Sequence, residues 1–255
     1  MDFHCHLDLY PNAREVYKEA CRRNSFTWLV TTSPKAFAAS SRALVPSSNV
    51  LITPGLHPEI VHERAQELDL LLEQITTVPA IGEVGLDGSS RFQATYDVQR
   101  RIFSAVVARC ECLGGRVLSI HSRQAVKDVL AELNLHPQFG TAVLHWFTGT
   151  SSELKAAEAQ GCWFSVGPAM FNSNSGRALA AKLPRERVVP ESDGPFAKLE
   201  GQPVMPWSMD VTAALLADAW GVTSDSAMNI LEQNSIRLLK LIQAPQLVKH
   251  GPGAP

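Results

Sequence analysis

Paired cysteines are missing from this sequence. Five cysteines occur among 255 residues, at positions 5, 21, 110, 112 and 162, and none belongs to a Cys-x-x-Cys pair. An odd number at irregular spacing argues against a disulfide framework and against a structural zinc ribbon. We expect reduced thiols, as is typical of a cytosolic protein.

Long hydrophobic runs are missing as well. No stretch approaches the roughly 18 apolar residues that a membrane-spanning helix needs. The chain begins MDFHCH, with acidic and histidine side chains, whereas a signal peptide begins with basic residues followed by an apolar segment. These features predict a cytoplasmic protein without a membrane partner.

An excess of basic residues is the third absence. The chain has 23 Lys and Arg residues against 25 Asp and Glu residues, for a formal net charge of −2. A protein that holds nucleic acid by charge over a broad surface has an excess of Lys and Arg. Nucleic-acid binding by this chain must therefore rest on a local basic patch or on bound metal ions.

The sequence does contain short apolar runs, each followed by a stretch with helical spacing. The hydrophobic content of 45% is enough for a sizeable core. Strands that alternate with helices predict a parallel sheet, because each parallel pair needs a crossover connection. Units of this kind, repeated over about 250 residues, predict a (β/α)8 TIM barrel. The eight runs are MDFHCH, TWLVTT, VLITPGLHP, PAIGEVGLD, RVLSIHS, TAVLHWF, CWFSVGP and VVPESDGP.

An open doubly wound sheet is the structural alternative. It would normally carry Gly-x-Gly-x-x-Gly after the first strand, where this chain has HCHLDLYP. The barrel is predicted to occupy residues 1–244 as one domain, and the Pro- and Gly-rich residues 245–255 a flexible tail. Helical apolar spacing is found at 12–24, 34–44, 59–76, 92–114, 122–134, 151–160, 174–183, 208–219 and 225–242.

Polar side chains stand where the predicted strands end. Active sites of such barrels lie at the carboxyl ends of the strands. Because strand side chains alternate, His4 and His6 project to the same side and can share one ion. Four further strand ends carry a candidate ligand, and these residues are Glu83, His121, His145 and Asp193.

Each of these residues alone has another interpretation. Paired histidines also occur as core residues, Glu83 could pair with an arginine, and Asp193 before Gly-Pro could shape a turn. As a set they fit a two-ion site better, because four imidazoles and two carboxylates hold two divalent ions when one carboxylate bridges. Mixed nitrogen and oxygen ligands suit zinc, manganese, iron or cobalt, whereas magnesium alone normally has more oxygen ligands.

Other residues near the strand ends are candidate substrate contacts. His57 in GLHPE lies on a loop and is either a substrate contact or a structural residue. Arg91 and Arg123 each follow a strand-end cluster by a few residues, so they could reach a phosphate backbone. Four aromatic residues after strand ends either pack in the core or stack on a base, namely Trp146, Phe147, Phe171 and Trp207.

The order and spacing of six motifs resemble the TatD family of metal-dependent deoxyribonucleases. The likeness runs from Asp2 to about Asn234, and the motifs are FHCHLD, GLHP, IGEVGLD, IHSR, HWFTG and ESDGP. The resemblance implies a TIM-barrel hydrolase of DNA phosphodiester bonds, commonly a 3′→5′ exonuclease that prefers single strands. It also implies that the cofactors are two divalent ions, of zinc, manganese or magnesium.

The resemblance assigns roles to individual residues. One ion would be held by His4, His6 and Glu83, with Asp193 completing the site. Glu83 would also bind the second ion, together with His121 and His145. Asp193 would accept the proton of the attacking water, which makes Asp193 and Glu83 the catalytic residues.

The chain departs from the family at the loops that touch nucleic acid. After GLD it has Gly88-Ser89-Ser90 in place of aromatic and basic residues, and Val106 stands where a second glutamine is usual. The basic stretch after the eighth strand is replaced by the uncharged GQPVMPWSM. The HCHLDLYP opening and the compact loops look most like the QatD-type branch of bacterial anti-phage systems, which implies other protein subunits as partners.

Two other functions fit the same residues. An amidohydrolase-type enzyme that acts on a small amide, ester or lactone would have a similar metal centre, although that class often uses a carboxylated lysine where this chain has Glu83. A non-enzymatic, metal-stabilised subunit of a larger complex would use the shortened loops for docking. Assays with DNA oligonucleotides and small esters distinguish the two enzymatic hypotheses. Full function of a Glu83→Ala variant in cells would support the non-enzymatic one.

Overall fold

The computed structural model describes residues 1–243. The eight predicted runs each contain a strand, which confirms the predicted strand order. The strands are β1 (Asp2–Cys5), β2 (Thr27–Val30), β3 (Val50–Thr53), β4 (Ala80–Gly85), β5 (Arg116–His121), β6 (Gly140–His145), β7 (Trp163–Val166) and β8 (Val188–Pro190). The predicted tail at 245–255 lies outside the described residues, so the division of the chain at 244 stays a prediction.

All eight strands run parallel. Strands β1, β2 and β3 pair in that order in one sheet, and β4 to β8 pair in a second sheet. Hydrogen bonds at the carboxyl ends join the two sheets: the Glu83 N–H donates to the Thr31 carbonyl at 3.2 Å, and the Asp193 N–H donates to the His4 carbonyl at 2.9 Å. The strands therefore close into a (β/α)8 barrel, as predicted, with Glu83 and Asp193 at the two seams.

Helices surround the barrel at the predicted places. Residues 59–76, predicted as one helix, are divided into short helices. The break lies at Glu67, a buried residue whose carboxylate accepts hydrogen bonds from the Lys35 N–H at 3.1 Å and from Arg64 at 3.1 Å. The helices are α1 (Ala13–Arg23), α2 (Pro34–Ala43), α3 (Val61–Arg64), α4 (Leu68–Gln74), α5 (Tyr96–Cys112), α6 (Val126–Leu135), α7 (Ser151–Ala159), α8 (Asn174–Ala180), α9 (Met209–Trp220) and α10 (Ser224–Gln243).

A small hairpin follows the eighth strand and was not predicted. Strand β9 (Lys198–Leu199) pairs antiparallel with β10 (Gln202–Pro203). Glu200 and Gly201 connect them with φ values of 51° and 80°. Two successive residues with positive φ are typical of a two-residue hairpin turn, which glycine adopts readily and glutamate rarely does.

The interior of the barrel changes from apolar to polar along the strands. Away from the carboxyl ends of the strands, Val117, Val143 and Val189 pack in one cluster with Leu238 and Ile242 of α10. Side chains two and four residues further along the same strands face the same side. That spacing leads from Val117 to Ser119 and His121 and from Val143 to His145, whereas Glu191 and Asp193 follow Val189 just beyond the end of β8. The alternation of the strands thus delivers polar groups to the carboxyl end above an apolar base.

Among residues 1–243, every helix is either too short or too polar to cross a bilayer.

Candidate metal centre

Glu83 lies at the middle of the polar cluster. It is 1% exposed, and its Oε2 atom lies 3.2 Å from His6 Nε2 and 3.4 Å from His4 Nε2. Asp193 Oδ1 lies 3.6 Å from His4 Nε2 and 3.7 Å from His6 Nε2. The first strand, the fourth strand and the loop after the eighth thus bring four donor atoms to one point.

The other oxygen of Glu83 faces a second group of histidines. Glu83 Oε1 lies 2.8 Å from His145 Nε2, 3.0 Å from His121 Nδ1 and 3.2 Å from His57 Nε2. The carboxylate therefore stands between two sets of imidazole nitrogens, one on each oxygen. A bridging carboxylate of a two-ion centre has this arrangement.

The donor atoms fit divalent ions. Bonds of about 2.0–2.1 Å in a tetrahedral site place neighbouring ligand atoms about 3.3 Å apart. The Nε2 atoms of His4 and His6 lie 3.2–3.4 Å from Glu83 Oε2 and 3.6–3.7 Å from Asp193 Oδ1, which is close to that spacing. His4 Nε2 is buried, faces the carboxylates and has no hydrogen-bond partner among residues 1–243. Its other ring nitrogen, Nδ1, lies 2.6 Å from Ser119 Oγ, which fixes the ring. With Ser119 as acceptor, Nε2 keeps its lone pair for an ion.

Burial and the neighbouring charges set the pKa values of the cluster. Burial alone would raise the pKa of the Glu83 carboxyl, but the surrounding imidazoles, led by His57 and His145, hold it well below its usual range. Burial lowers the pKa of His4 well below its ordinary value, so this ring is neutral, as a metal ligand must be. Burial raises the pKa of Asp193.

Negative charge dominates around His145. Burial opposes the charged form of this imidazole, yet the carboxylates of Glu83 and Glu191 raise its pKa to about 10. The site therefore holds a proton against a strong desolvation penalty. A divalent cation would satisfy the same carboxylates, and His145 would have to lose that proton to serve as a ligand.

Glu191 is a buried carboxylate behind the centre that the sequence analysis did not single out. It accepts a hydrogen bond from Ser165 Oγ at 2.5 Å and another from the Trp146 N–H at 3.0 Å, and its Oε2 lies 3.8 Å from His145 Nδ1. Burial raises the pKa of Glu191 to about 8. Trp146 has a φ of 36°, which a bulky residue rarely adopts, so its hydrogen bond to Glu191 holds a strained backbone at the site.

Asp87 and Ser119 are further neighbours without a predicted role. Asp87 Oδ2 lies 2.9 Å from His121 Nε2, so Asp87 orients the ring whose Nδ1 faces Glu83. A signal for such residues was available in the sequence. Ser119 stands two residues before the predicted ligand His121 on β5, and a spacing of two places strand side chains on the same face. Glu191 stands two residues before Asp193, but both lie beyond the end of β8.

His57 belongs to the cluster rather than to the outer mouth. Its side chain is 16% exposed, and it reaches Glu83 because the loop of Gly55 lies directly on the β4 backbone. A Cβ atom at Gly55 would stand 2.3 Å from the Glu83 nitrogen, so only glycine permits this approach. His57 can therefore serve as an ion ligand as well as the substrate contact that the sequence predicts.

The cluster forms the floor of a cleft of about 660 Å³. Arg123 lines this cleft, whereas Arg91 is exposed, lies outside the lining and stacks on the Phe92 ring at 4.9 Å. Among the four aromatic candidates, Trp146 lines the cleft, Phe147 and Phe171 are buried in the core, and Trp207 packs under Arg23. The lining residues are His6, Thr32, His57, Glu59, Ile60, Glu83, His121, Ser122, Arg123, His145, Trp146, Thr148, Asp193 and Phe196.

Known proteins with similar sequences include proteins named as nucleases. The profile of the family described as TatD related DNase matches residues 1–240. "Deoxyribonuclease TATDN3" of Homo sapiens is 27% identical over 93% of this chain and 93% of its own length. "3'-5' ssDNA/RNA exonuclease TatD" of Edwardsiella piscicida is 34% identical over 56% of this chain and 57% of its own length.

The fold agrees with these matches. The crystal structure of YJJV, a TATD homolog from Escherichia coli K12, superposes with a TM-score of 0.74 and covers 96% of this chain and 98% of its own, at 23% identity. The family profile covers almost all of the described residues, so the chain belongs to the TatD related DNase family, a family of metal-dependent hydrolases.

Proposed function

We propose that this member of the TatD related DNase family is a metal-dependent exonuclease, which hydrolyses phosphodiester bonds of DNA from the 3′ ends of single strands. The observation that carries the proposal is Glu83, whose two oxygens face two separate sets of imidazoles at the floor of an open cleft. The names of bacterial relatives, as 3'-5' ssDNA/RNA exonucleases, support the polarity and the single-stranded substrate.

The proposed cofactors are two divalent ions, and Glu83 would contribute one oxygen to each. His4, His6 and Asp193 would hold the first ion, and His121 and His145 the second. A donor set rich in imidazole favours zinc or manganese, and magnesium would need additional oxygen ligands from water or substrate. When bound, the ions would supply Lewis-acid charge that polarises the phosphodiester and acidifies the attacking water.

The chain's own residues would position the substrate and move the proton. Asp193 lines the cleft beside the first ligand set, where its carboxylate would orient the attacking water and accept its proton. Arg123 at the cleft wall would pair with a phosphate oxygen of the bound strand. Asp87 would hold the His121 ring in place as charge develops.

Substitution of the proposed catalytic residues tests the proposal. Glu83→Ala and Asp193→Asn should abolish release of nucleotides from end-labelled single-stranded DNA while far-UV circular dichroism stays unchanged. The matched controls are Glu158→Ala on α7 and Asp210→Asn on α9, which replace exposed carboxylates outside the cleft lining and should leave cleavage unchanged. Unchanged cleavage by either site variant would overturn the proposal. Hydrolysis of small esters but not DNA by the wild-type protein would favour an amidohydrolase-type enzyme.

We also propose a biological setting, namely the cytoplasm and the QatD-type branch of anti-phage systems, with partner subunits. The HCHLDLYP opening and the uncharged GQPVMPWSM support this assignment, since such a segment leaves room for a docking protein. Phage plaque counts on cells that express this chain together with the other subunits of a QatD-type system test it. A Glu83→Ala substitution should raise plaque numbers to those of cells without the system. Equal protection by wild type and variant would contradict an enzymatic role in defence.

A further inference from the structure

An aromatic side chain stands exposed beside the metal centre. Phe196 is 59% exposed, lines the cleft and meets the His6 ring edge-to-face, with ring centroids 5.1 Å apart. Among residues 1–243 it is the one aromatic in the group of exposed large hydrophobic side chains. An apolar ring held in water at the edge of a polar site marks a surface for binding a ligand.

Trp146 extends this surface. It lines the same cleft and packs against Ala169, Ala197 and Val204, and Ala197 is the chain neighbour of Phe196. The hydrogen bond from the Trp146 N–H to Glu191 fixes its backbone. Phe196 and Trp146 therefore both present aromatic side chains to the cleft that contains the ligands of the proposed ions, and we call this pair the aromatic wall.

Positive charge is scarce around the same cleft. Arg123 is the one Lys or Arg among its lining residues within the described part of the chain, and the lining also includes Glu59. Lys35 and Arg64 pair with the buried Glu67 at 3.7 Å and 3.1 Å. Such a surface can neutralise few phosphates.

The hairpin after the eighth strand adds little to that charge. It carries Lys198 and Glu200, which balance each other, and residues 201–209 are uncharged. A groove for a long strand would need a continuous basic track, because affinity for extended nucleic acid comes mainly from contacts to phosphates. Within the described part of the chain Arg123 is the one basic residue of the cleft lining, so the lining itself does not form such a track.

We propose that this enzyme takes short single-stranded oligonucleotides, and that the aromatic wall binds the terminal base while Arg123 binds one adjacent phosphate. The inference rests on the proposed nuclease activity and adds the length of the substrate. Base stacking on the aromatic wall supplies affinity without regard to base identity. Nucleotides further along the strand add little binding affinity, because few basic side chains contact their phosphates.

A length series measures this directly. Single-stranded deoxyoligonucleotides of about 3, 5, 10, 20 and 40 nucleotides, with the free metal concentration held constant, should give kcat/KM values within about threefold from the five-mer upward. The salt dependence should be shallow: with one or two phosphates neutralised, log KM should change with log salt by a slope of about 0.7–1.4. A rise in kcat/KM of more than tenfold between five and 20 nucleotides, or a slope steeper than about 3, would overturn the proposal.

Substitution of Phe196 tests the aromatic wall. Phe196→Ala should raise KM by about 5- to 100-fold with kcat within about twofold, because the stacking contact is lost from bound substrate. Phe196→Tyr should restore KM, and Leu135→Ala, which truncates an exposed side chain outside the cleft lining, should not change it. On an oligonucleotide whose 3′-terminal residue lacks a base, wild type and Phe196→Ala should have equal KM. A Phe196→Ala variant with wild-type KM would contradict the role of the wall.

Failure of this inference is distinguishable from failure of the proposed function. Cleavage that increases steeply with strand length would refute the short substrate and leave the nuclease activity established. Absence of cleavage of every oligonucleotide would refute the nuclease. In that case fluorescence anisotropy of the manganese-loaded protein with labelled five-mer and 20-mer decides the length question. Equal affinities support the short binding site, and tighter binding of the 20-mer by more than tenfold refutes it.

Discussion

At the scale of single residues, the centre depends on one carboxylate and on the groups that orient the rings around it. Glu83 connects the two ligand sets through its two oxygens. His4, the most buried ring of the first set, is fixed by Ser119 on one side and stacks on His145 at 3.9 Å on the other. Ser119 would thus tune metal affinity although it would touch no ion itself.

Loss of the Ser119 hydroxyl should therefore weaken metal binding. Ser119→Ala removes the partner of His4 Nδ1, so the ring is no longer held with Nε2 towards Glu83. We expect metal affinity to fall about 10- to 100-fold, measured by competition with a fluorescent chelator. Ser235→Ala is the matched control, since Ser235 is a buried serine of α10 whose hydroxyl has no hydrogen-bond partner among the described residues. Equal affinities in wild type and Ser119→Ala would show that Ser119 does not orient the ring.

Sequence patterns could predict the residues whose positions follow from strand order alone. His4, His6, His121 and His145 each lie near the end of a predicted strand, and the structure places them around Glu83. The approach of His57 to Glu83 was not predictable. It depends on contact between the Gly55 loop and β4, which are distant in sequence and meet only in the closed barrel.

At the scale of the elements, α10 closes the base of the barrel. The buried Asn234 donates two hydrogen bonds of 2.7 Å, to the carbonyls of Arg185 and Val188 at the start of β8. Leu238 and Ile242 follow on the same helix and pack against the strand interior. This helix thus fixes the strand that leads to Asp193.

Truncation of Asn234 should destabilise the fold. Asn234→Ala leaves two inward-facing carbonyls without their donor, so we expect the free energy of unfolding to fall by about 2 kcal/mol, and Tm by about 4–8 °C. Urea denaturation followed by circular dichroism measures the change. Asn229→Ala on the exposed face of the same helix should change stability by less than about 0.5 kcal/mol. Equal stability of the two variants would show that the Asn234 hydrogen bonds do not stabilise the fold.

Element boundaries were predictable where local chemistry decides them. Ser33 caps α2 and is followed by Pro34, as helix starts often are. The predicted start of α7 at residue 151 is confirmed, and its cap is Thr150, which forms a complete capping box with Glu153. The break at Glu67 and the β9–β10 hairpin depend on tertiary contacts and an unusual turn residue, which no periodicity shows.

At the scale of the whole molecule, the packed fold buries some of the five cysteine thiols and leaves others accessible to solvent. Cys5, Cys110 and Cys162 are buried, whereas Cys21 is half-buried and Cys112 is exposed. Burial raises the pKa of Cys110 and of Cys162 to about 12, which suppresses the reactive thiolate.

Thiol titration should separate these classes. The native protein should react with a thiol-specific disulfide reagent at Cys21 and Cys112, and all five cysteines should react after denaturation. Mass spectrometry of the trapped native protein identifies the modified positions. Rapid modification of Cys110 or Cys162 under native conditions would mean that the helix layer around the barrel opens far more readily than the packed core implies.

The central claim is that Glu83 joins two metal sites, and metal stoichiometry tests it most directly. After incubation with manganese or zinc and removal of free ions, elemental analysis should give about two ions per wild-type chain. Glu83→Gln removes the bridging charge and should reduce this to one ion or fewer, whereas Glu158→Gln should retain two. Two ions in Glu83→Gln, or none in the wild-type protein with either metal, would contradict the account.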